Sequence, residues 1–168
     1  VDEPKEVVGA ADYVFAGQVL ECVGTVYKDK TPLEKEDGKV EYSGTPYTNY
    51  KVSVIDNIKN QLITEKPISI QKFGGMAEDK TCYIMPEEDE IPQVGKLYIF
   101  MVYTQDDGSL LVSGSNSSIP VKGSISKLKD VMTLKKTEEY KAYKAAVKHQ
   151  VSPEYGKTGL KSMYDDAH

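Results

Sequence analysis

The chain has 168 residues, a formal net charge of −5 at pH 7, and 21 basic residues that are all lysine. Arginine is the side chain that grips guanine edges and phosphates with two parallel hydrogen bonds, so an acidic chain without it predicts no nucleic-acid partner. The length fits one domain, with or without a helical appendage, and no apolar run reaches the roughly 18 residues that a membrane span requires.

The first three predicted strands follow from two kinds of pattern. Residues 13–23 are rich in β-branched and aromatic side chains, and Gly17 within them is typical of a bulge or a sharp bend. Residues 50–55 alternate apolar with polar side chains, and residues 68–71 do the same, which is the pattern of strands buried on one face. These three segments therefore predict the beginning of a sheet.

The fourth predicted strand, residues 96–103, is apolar on both faces and is expected to be the most deeply buried. Asp106, Asp107 and Gly108 then predict a tight turn into a fifth strand over residues 109–113. Five strands within about 100 residues, separated by loops with glycine and proline, indicate a small barrel or sandwich.

Two long connections separate these strands. Residues 28–46 and residues 74–94 are charged, carry glycine and proline, and are expected to be exposed and the least ordered parts of the β region. The first is expected to be an exposed excursion, with a small hairpin of its own as the alternative. Four of the twelve tyrosines flank or lie in these connections, namely Tyr27, Tyr42, Tyr47 and Tyr83. Tyrosine is rigid, large and amphipathic, so the four are a candidate binding surface, with loop anchoring as the alternative.

The periodicity changes from 2 to 3.6 after Pro120, so helices are expected only beyond about residue 122. One apolar stripe comprises Leu128, Val131 and Met132, and a second comprises Tyr140, Tyr143, Ala146 and Val147. Thr137 is the expected N-cap of the second helix, which should end by about Gln150, ahead of Pro153. Residues 154–168 are expected to form a loosely held tail.

No catalytic site is recognisable in the sequence. His149 lies in the last turn of the second predicted helix and His168 at the terminus, so the β region has no histidine for nucleophilic or zinc chemistry. Glu87 to Glu90 is a run of carboxylates without the spacing of a calcium loop, and such runs are typical of solvated loops. We therefore expect a protein that is not an enzyme, with no cofactor and no metal.

Residues 1–6 are charged, and the chain does not begin with methionine. We therefore expect a mature chain from which a secretory leader has been removed, and an extracellular or cell-surface location. Such a location would also permit disulfides.

The chain has two cysteines, Cys22 and Cys82. They fit neither a zinc ribbon, which needs four closely spaced ligands, nor a C-x-x-C redox pair. The residues alone leave two alternatives open. The first is a pair of buried free thiols. The second is one disulfide that closes a loop of about 60 residues and stabilises the fold by about 4 kcal/mol.

Taken in order, the β segments resemble the netrin-like domains of the tissue inhibitors of metalloproteinases, which have the oligonucleotide/oligosaccharide-binding (OB) fold. The matching stretches are A-D-Y-V-F-A-G-Q-V over 11–19, Y-K-V-S-V-I-D-N-I-K-N over 50–60, I-S-I-Q-K-F-G-G over 68–75, Cys82, V-G-K-L-Y-I-F over 94–100, and the hairpin through Gly108 to Val112. The pattern covers roughly residues 9–121. Bacterial cell-surface proteins of unassigned function are similar too, and the all-lysine composition fits the AT-rich genomes of Gram-positive bacteria.

The resemblance implies a mainly β fold. A five-stranded Greek-key OB barrel is expected over residues 1–121, followed by a helical extension and tail over residues 122–168. The resemblance also implies a bridge between Cys22 and Cys82. Cys82 lies about where a bridged cysteine lies in the family, and Cys22 is the one partner that the sequence leaves for it.

The function that the resemblance implies is binding. We expect a secreted or cell-surface module that interacts with protein or cell-wall glycan through the barrel loops. Inhibitors of this family place an N-terminal cysteine on the protease zinc, whereas this chain opens with V-D-E-P and has no cysteine before Cys22. The alternative is therefore a metalloproteinase-inhibitor-like protein that lacks the zinc-chelating cysteine.

Overall fold

The protein is mainly β in the computed structural model, which describes residues 3–76, 83–84, 91–112, 116–151 and 159–166. Within these residues the strands are β1 (Tyr13–Glu34), β2 (Val40–Lys59), β3 (Ile68–Phe73), β4 (Gly75–Met76), β5 (Tyr83–Ile84), β6 (Leu97–Thr104), β7 (Leu110–Val112) and β8 (Ser118–Pro120). The helices in the same residues are α1 (Pro4–Ala10), α2 (Ile125–Leu128), α3 (Val131–Leu134) and α4 (Glu138–Lys148). The predicted mainly β class with a C-terminal helix is confirmed.

Six of the described strands form one mixed sheet in the order β1-β2-β3-β7-β6-β8, and β1 also pairs with β6. β3 and β7 run parallel, and the other pairs in this sheet are antiparallel. Val102 of β6 pairs with both β1 and β7, and Phe100 pairs with both β1 and β8. β7 and β8 therefore follow each other along one edge of β6, opposite β1.

β6 is buried on both faces, as its sequence predicts. One face packs against side chains from β1, β2, β3 and β7, and the other packs against the helices. The residues on the first face are Tyr98, Phe100 and Val102, and those on the second are Leu97, Ile99 and Met101. The core thus has two layers that share β1, β2 and β6.

The N-terminal helix α1 contradicts the expectation that helices occur only beyond about residue 122. Pro4 begins the helix, because proline at the first helical position already has helical φ and needs no hydrogen-bond partner for its nitrogen. Val7 and Val8 are buried in the cluster that α4 also joins. Seven residues are too few to show a helical period, and a helix this short depends on such packing.

The segment 28–46 continues β1 and β2 as one long hairpin, whereas the sequence predicts a loop excursion with a separate hairpin as the alternative. Pairing extends out to Glu34 opposite Val40, and Gly38 lies in the turn with a φ of 78°. The charged, proline-containing composition favours a loop. The two strands nevertheless satisfy each other's backbone groups along the hairpin.

Part of the second predicted loop, residues 74–94, is also paired. Gly75 lies opposite Ile84, and Met76 lies opposite Tyr83. Residues 77–82 and 85–90, which include the acidic run, lie outside the described residues. The predicted low order of this loop therefore stays a prediction.

α4 begins where the sequence predicts. The Thr137 hydroxyl accepts a hydrogen bond from the Tyr140 amide, and the helix ends at Lys148. Tyr140, Tyr143 and Ala146 are its buried residues. The second predicted stripe therefore packs against the strands, with Val147 partly buried beside it.

The first predicted stripe is wrong in part, because two short helices replace one. Leu128 of α2 is buried, but Met132 is 65% exposed and Leu134 is buried instead. Asp130 caps α3 by accepting a hydrogen bond from the Met132 amide. A new helix therefore starts at this point and turns a different face toward the core.

Residues 159–166 pack against the strands, which contradicts the loosely held tail expected for this part of the chain. Asp165 forms an isolated β-bridge with Leu62. The Ser162 amide donates to the Tyr13 hydroxyl at 3.0 Å, and Ser162 is buried. These contacts link the tail to the β region, and the expected domain boundary at residue 121 stays a prediction.

Candidate functional site

The outer face of β2 and β3 carries a set of half-buried side chains that contact one another. This set, the outer-face cluster, consists of Lys28, Tyr47, Asn49, Gln71, Phe73 and Gln105. On β2 the intervening Thr48 is buried, so alternation turns Tyr47 and Asn49 to the other face. The strand register places Tyr47 opposite Phe73 and Asn49 opposite Gln71. The cluster thus spans two neighbouring strands.

Tyr47 and Phe73 form the aromatic part of the cluster. Their rings meet edge to face, with centroids 5.7 Å apart and ring planes at 76°. The Lys28 ammonium lies over the Tyr47 ring, 4.6 Å from its centroid, which is within cation–π range. A positive charge is therefore held against the aromatic pair.

Lys28 also joins the hairpin of β1 and β2 to the turn between β6 and β7. Its Nζ donates to Oε1 of Gln71 and, at 3.4 Å, to Oε1 of Gln105. Gln71 Nε2 in turn donates to Asn49 Oδ1 at 2.9 Å. Because an ammonium can only donate, each glutamine must present its oxygen to Lys28, and this fixes the orientation of both amides.

The turn between β6 and β7 has hydrogen bonds of its own. Gln105 Nε2 donates to Ser109 Oγ at 2.9 Å, and Ser109 Oγ donates to Asp107 Oδ1 at 2.5 Å. The Ser109 hydroxyl and amide hold the pKa of Asp107 below its usual value, and the charge of Lys28 acts in the same direction. Gly108 has a φ of 87°, which suits the predicted tight turn. These hydrogen bonds hold the turn, and with it Gln105, in a fixed position at one end of the cluster.

Tyr47 is the member of the predicted tyrosine surface that lies in the outer-face cluster. Tyr27 lies on the opposite face of the hairpin, because its neighbour Val26 pairs with Tyr47. Its hydroxyl donates to a carbonyl oxygen of β4 at 2.8 Å. The side chains of Tyr42 and Tyr83 lie outside the described residues. The structure thus separates Tyr27 from Tyr47, and the roles of the other two stay predictions.

Sequence reasoning missed most of the cluster. The missed members are Lys28, Asn49, Gln71, Phe73 and Gln105. The alternation over residues 50–55 already turns Asn49 away from the core, and that is the signal available. The register between β2 and β3 decides which outward side chains contact each other, and local sequence patterns do not predict that register.

Cys22 lies on β1 beside a register shift, opposite Tyr50 of β2. It is exposed, and its thiol has no disulfide partner among the described residues. Cys82 lies outside the described residues. The bridge between the two cysteines therefore stays a prediction.

A second polar group lies where the C-terminal residues meet β1. The Tyr13 hydroxyl donates to Asp165 Oδ2, and it accepts from the Ser162 amide. Burial and the hydrogen bond to Asp165 raise the pKa of Tyr13 to about 12. A cavity of about 190 Å³ lies beside them, with Asn60 and Lys161 in its lining. Because Tyr13 stays protonated at neutral pH, it acts here as a hydrogen-bond donor that holds the tail.

Among the residues that the structure describes, no three or more His, Cys, Asp and Glu side chains are grouped so as to hold a metal ion. Across the same residues, no helix combines the length and the apolar character needed to cross a membrane. No protein-family model matches the chain, and no curated protein is significantly similar to it in sequence.

Proposed function

We propose that the strands form a five-stranded OB barrel. The pairings that support this arrangement run from β1 through β2, β3, β7 and β6 and back to β1. β8 extends the line of β7 along β6, so the two act as one interrupted strand. A single apolar cluster with side chains from all five strands supports the same arrangement.

We also propose that the protein is a secreted or cell-surface module that binds protein or glycan, and that it is not an enzyme. The ligand lies across the outer-face cluster, between the long hairpin and the turn between β6 and β7. OB barrels bind their ligands on the face of the second and third strands and with the loops beside it. One observation carries the proposal. The Lys28 side chain hydrogen-bonds to Gln71 and to Gln105, and these bonds join the hairpin to the turn across this face.

The composition of the cluster supports binding over a purely structural role. Its two aromatic residues, Tyr47 and Phe73, belong to neither of the two core clusters among the described residues. Aromatic rings left outside the core, beside amide groups with hydrogen-bonding capacity, are typical of binding surfaces. Because the two rings hold each other in place, a ligand binds without having to fix these side chains in one conformation.

A titration of the ¹⁵N-labelled full chain tests the proposal. Panels of soluble oligosaccharides and of unstructured peptides are added in turn. The side-chain NH₂ groups of Asn49, Gln71 and Gln105 give their own resonances, and we expect these to shift together with backbone amides of β2 and β3. Ligands that shift other surfaces and leave these signals unchanged would contradict the proposed site.

A pair of tyrosine variants provides the matched control. We expect Tyr47→Ala to weaken binding about tenfold, because an aromatic anchor at the centre of an interface contributes more than about 1 kcal/mol. Tyr27→Ala makes the same change on the opposite face of the same hairpin and should leave the affinity unchanged. Both variants are first compared with the wild type by thermal unfolding, so that a loss of folding is not counted as a loss of binding.

A further inference from the structure

We infer that the outer-face cluster selects a glycan that carries isolated carboxylate groups, and that Lys28 is the residue that recognises the carboxylate. The inference rests on the proposed binding function and names its ligand class. Three observations support it. They are the direction of the hydrogen bonds in the cluster, the groups that contact Lys28, and the pairing of β2 and β3, on which the cluster lies.

The hydrogen bonds of the cluster run outward from Lys28 in two directions. One series passes through Gln105 and ends on the carboxylate of Asp107, within the protein. The other passes through Gln71 and ends on Oδ1 of Asn49. Because the Asn49 oxygen accepts this bond, its Nδ2 group keeps two N–H donors, for which the described part of the chain supplies no acceptor. The open end of the series is therefore a donor.

The direct contacts of the Lys28 ammonium are with neutral groups. In the described residues its contacts are the two glutamine oxygens and the Tyr47 ring. The charge of Lys28 also acts on Asp107 in the turn, whose carboxylate accepts hydrogen bonds from Ser109. A positive charge beside open N–H donors complements a ligand group that is negative and only accepts, and a carboxylate has both properties.

The strand pairing favours a glycan over a polypeptide. An extended peptide gains affinity by adding to a free strand edge, but β2 is paired with β1 and β3, and β3 is paired with β2 and β7. Planar amides and aromatic rings on a flat face suit sugars, whose hydroxyl groups accept from amides and whose C–H faces pack on rings.

The net charge of −5 limits the ligand further, because it repels a long and densely charged polymer. Charges are screened beyond about 8 Å at physiological ionic strength, so a ligand carboxylate within that distance interacts mainly with the charge of Lys28. A glycan with isolated carboxylates fits both conditions.

The test uses the full chain and three carboxylated saccharides: the N-acetylglucosamine–N-acetylmuramic acid disaccharide, sialyllactose and digalacturonate. Each is compared with its own methyl ester, which keeps the sugar and removes the charge. We expect at least one acid to shift the side-chain signals of Asn49 and Gln71 and to bind about tenfold more tightly than its ester, as for one charge-assisted hydrogen bond.

Two lysine variants identify the residue responsible. Lys28→Gln should abolish the preference for the acid, so that the acid and its ester bind with the same affinity. Lys66→Gln removes the same charge from an exposed position on the connection between β2 and β3, and should keep the preference. Asn49→Asp, which replaces the open donors with a negative charge, should abolish binding of the acid.

The outcomes separate this inference from the proposed function. Equal affinity for acids and esters, with shifts in the cluster, would leave the binding function in place and overturn the carboxylate selection. Equal binding of a tetraglutamate peptide would overturn the choice of a glycan. If none of the three acids shifts the cluster signals, the inference is wrong, and if no saccharide or peptide does so, the proposed function is wrong as well.

Discussion

Lys59 Nζ donates a hydrogen bond of 2.7 Å to the carbonyl oxygen of Ala11. The same ammonium donates to the carbonyl oxygens of Val8 at 2.7 Å and Gly9 at 3.3 Å. Lys59 is buried at the end of β2, and these acceptors lie at the end of α1 and just beyond it. A lysine thus satisfies the carbonyl groups that the C-terminus of a helix leaves open, where a positive charge is also favoured.

We predict that Lys59→Met lowers the free energy of unfolding by about 3 kcal/mol. The substitution removes charged hydrogen bonds worth about 1.5–3 kcal/mol and leaves buried carbonyl groups without a donor. Urea unfolding followed by circular dichroism measures the loss. Lys66→Met, at an exposed position, should change stability by less than about 0.5 kcal/mol. Similar losses in the two variants would show that Lys59 has no special role.

Gly108 and Gly38 form a natural pair for testing how the tail is held. Both have positive φ, 87° and 78°, so alanine is strained at either position by about 1–2 kcal/mol. A Cβ at Gly108 would come within 3.2 Å of the Met163 amide nitrogen, whereas a Cβ at Gly38 would meet no atom within 4 Å. We therefore expect Gly108→Ala to be the more destabilising substitution.

Hydrogen exchange identifies the cause of that difference. The Met163 amide donates to the Gly108 carbonyl at 2.9 Å, and the Ile63 amide donates to Tyr164 at 2.9 Å. Exchange of both amides should be faster in Gly108→Ala and unchanged in Gly38→Ala. Unchanged protection of Met163 in both variants would mean that the turn does not hold the tail.

The raised pKa values of Tyr13 and Tyr140 make stability depend on alkaline pH. Burial is the main cause at both sites, and hydrogen bonds to Asp165 and Asp56 add to it. A tyrosine in the unfolded chain ionises near pH 10, whereas folded Tyr13 ionises near 12. The stabilisation is complete below about pH 10 and is lost as the pH rises toward 12, because the unfolded state ionises first.

We therefore expect Tyr13→Phe to lose less free energy of unfolding than the wild type between about pH 9.5 and 11.5. The lysines titrate in both proteins, so the difference between the two proteins isolates the tyrosine. Urea unfolding at several pH values measures it. Parallel losses in the two proteins would contradict a raised pKa at Tyr13.

We predict that Cys22 and Cys82 are joined by a disulfide in the native protein. A bridge requires Cα atoms within about 7 Å, and its reduction should lower the melting temperature by about 10 °C if it contributes about 4 kcal/mol. Mass spectrometry after alkylation without reductant is the direct measurement. Two alkylated thiols in protein from its native source would rule out the bridge.

Local patterns were sufficient to predict parts of β1, β2, β3, β6 and β7 and the start of α4. β6 is a run of apolar residues, and such a run is buried on both faces wherever it lies in a sheet. Thr137 caps α4 through its own hydroxyl, three residues from the amide that it binds. Each of these features depends on neighbours in the sequence, so the sequence states them directly.

The outer-face cluster depends on distant partners, and the sequence does not state those. In the sequence, Lys28 is one of several lysines in a charged segment that was predicted to be a loop. Its contacts with Gln71 and Gln105 form only because the folded hairpin brings it close to them. α1 was missed for a related reason. Its stability comes from α4 and from Lys59, which follows it by about 50 residues.

The double pairing of Val102, with Tyr13 on one side and Val112 on the other, also determines when the chain can fold. A chain that emerges from a ribosome or a translocation pore N-terminus first presents β1 with one edge unpaired until β6 has followed. The hydrogen bonds of the Tyr13 hydroxyl form later still, because their partners Ser162 and Asp165 lie about 150 residues further along the chain. Contacts of such long sequence separation slow folding. We expect the pairing of β1 with β6 and the contacts of the Tyr13 hydroxyl to form late in folding, after the local hairpin of β1 and β2.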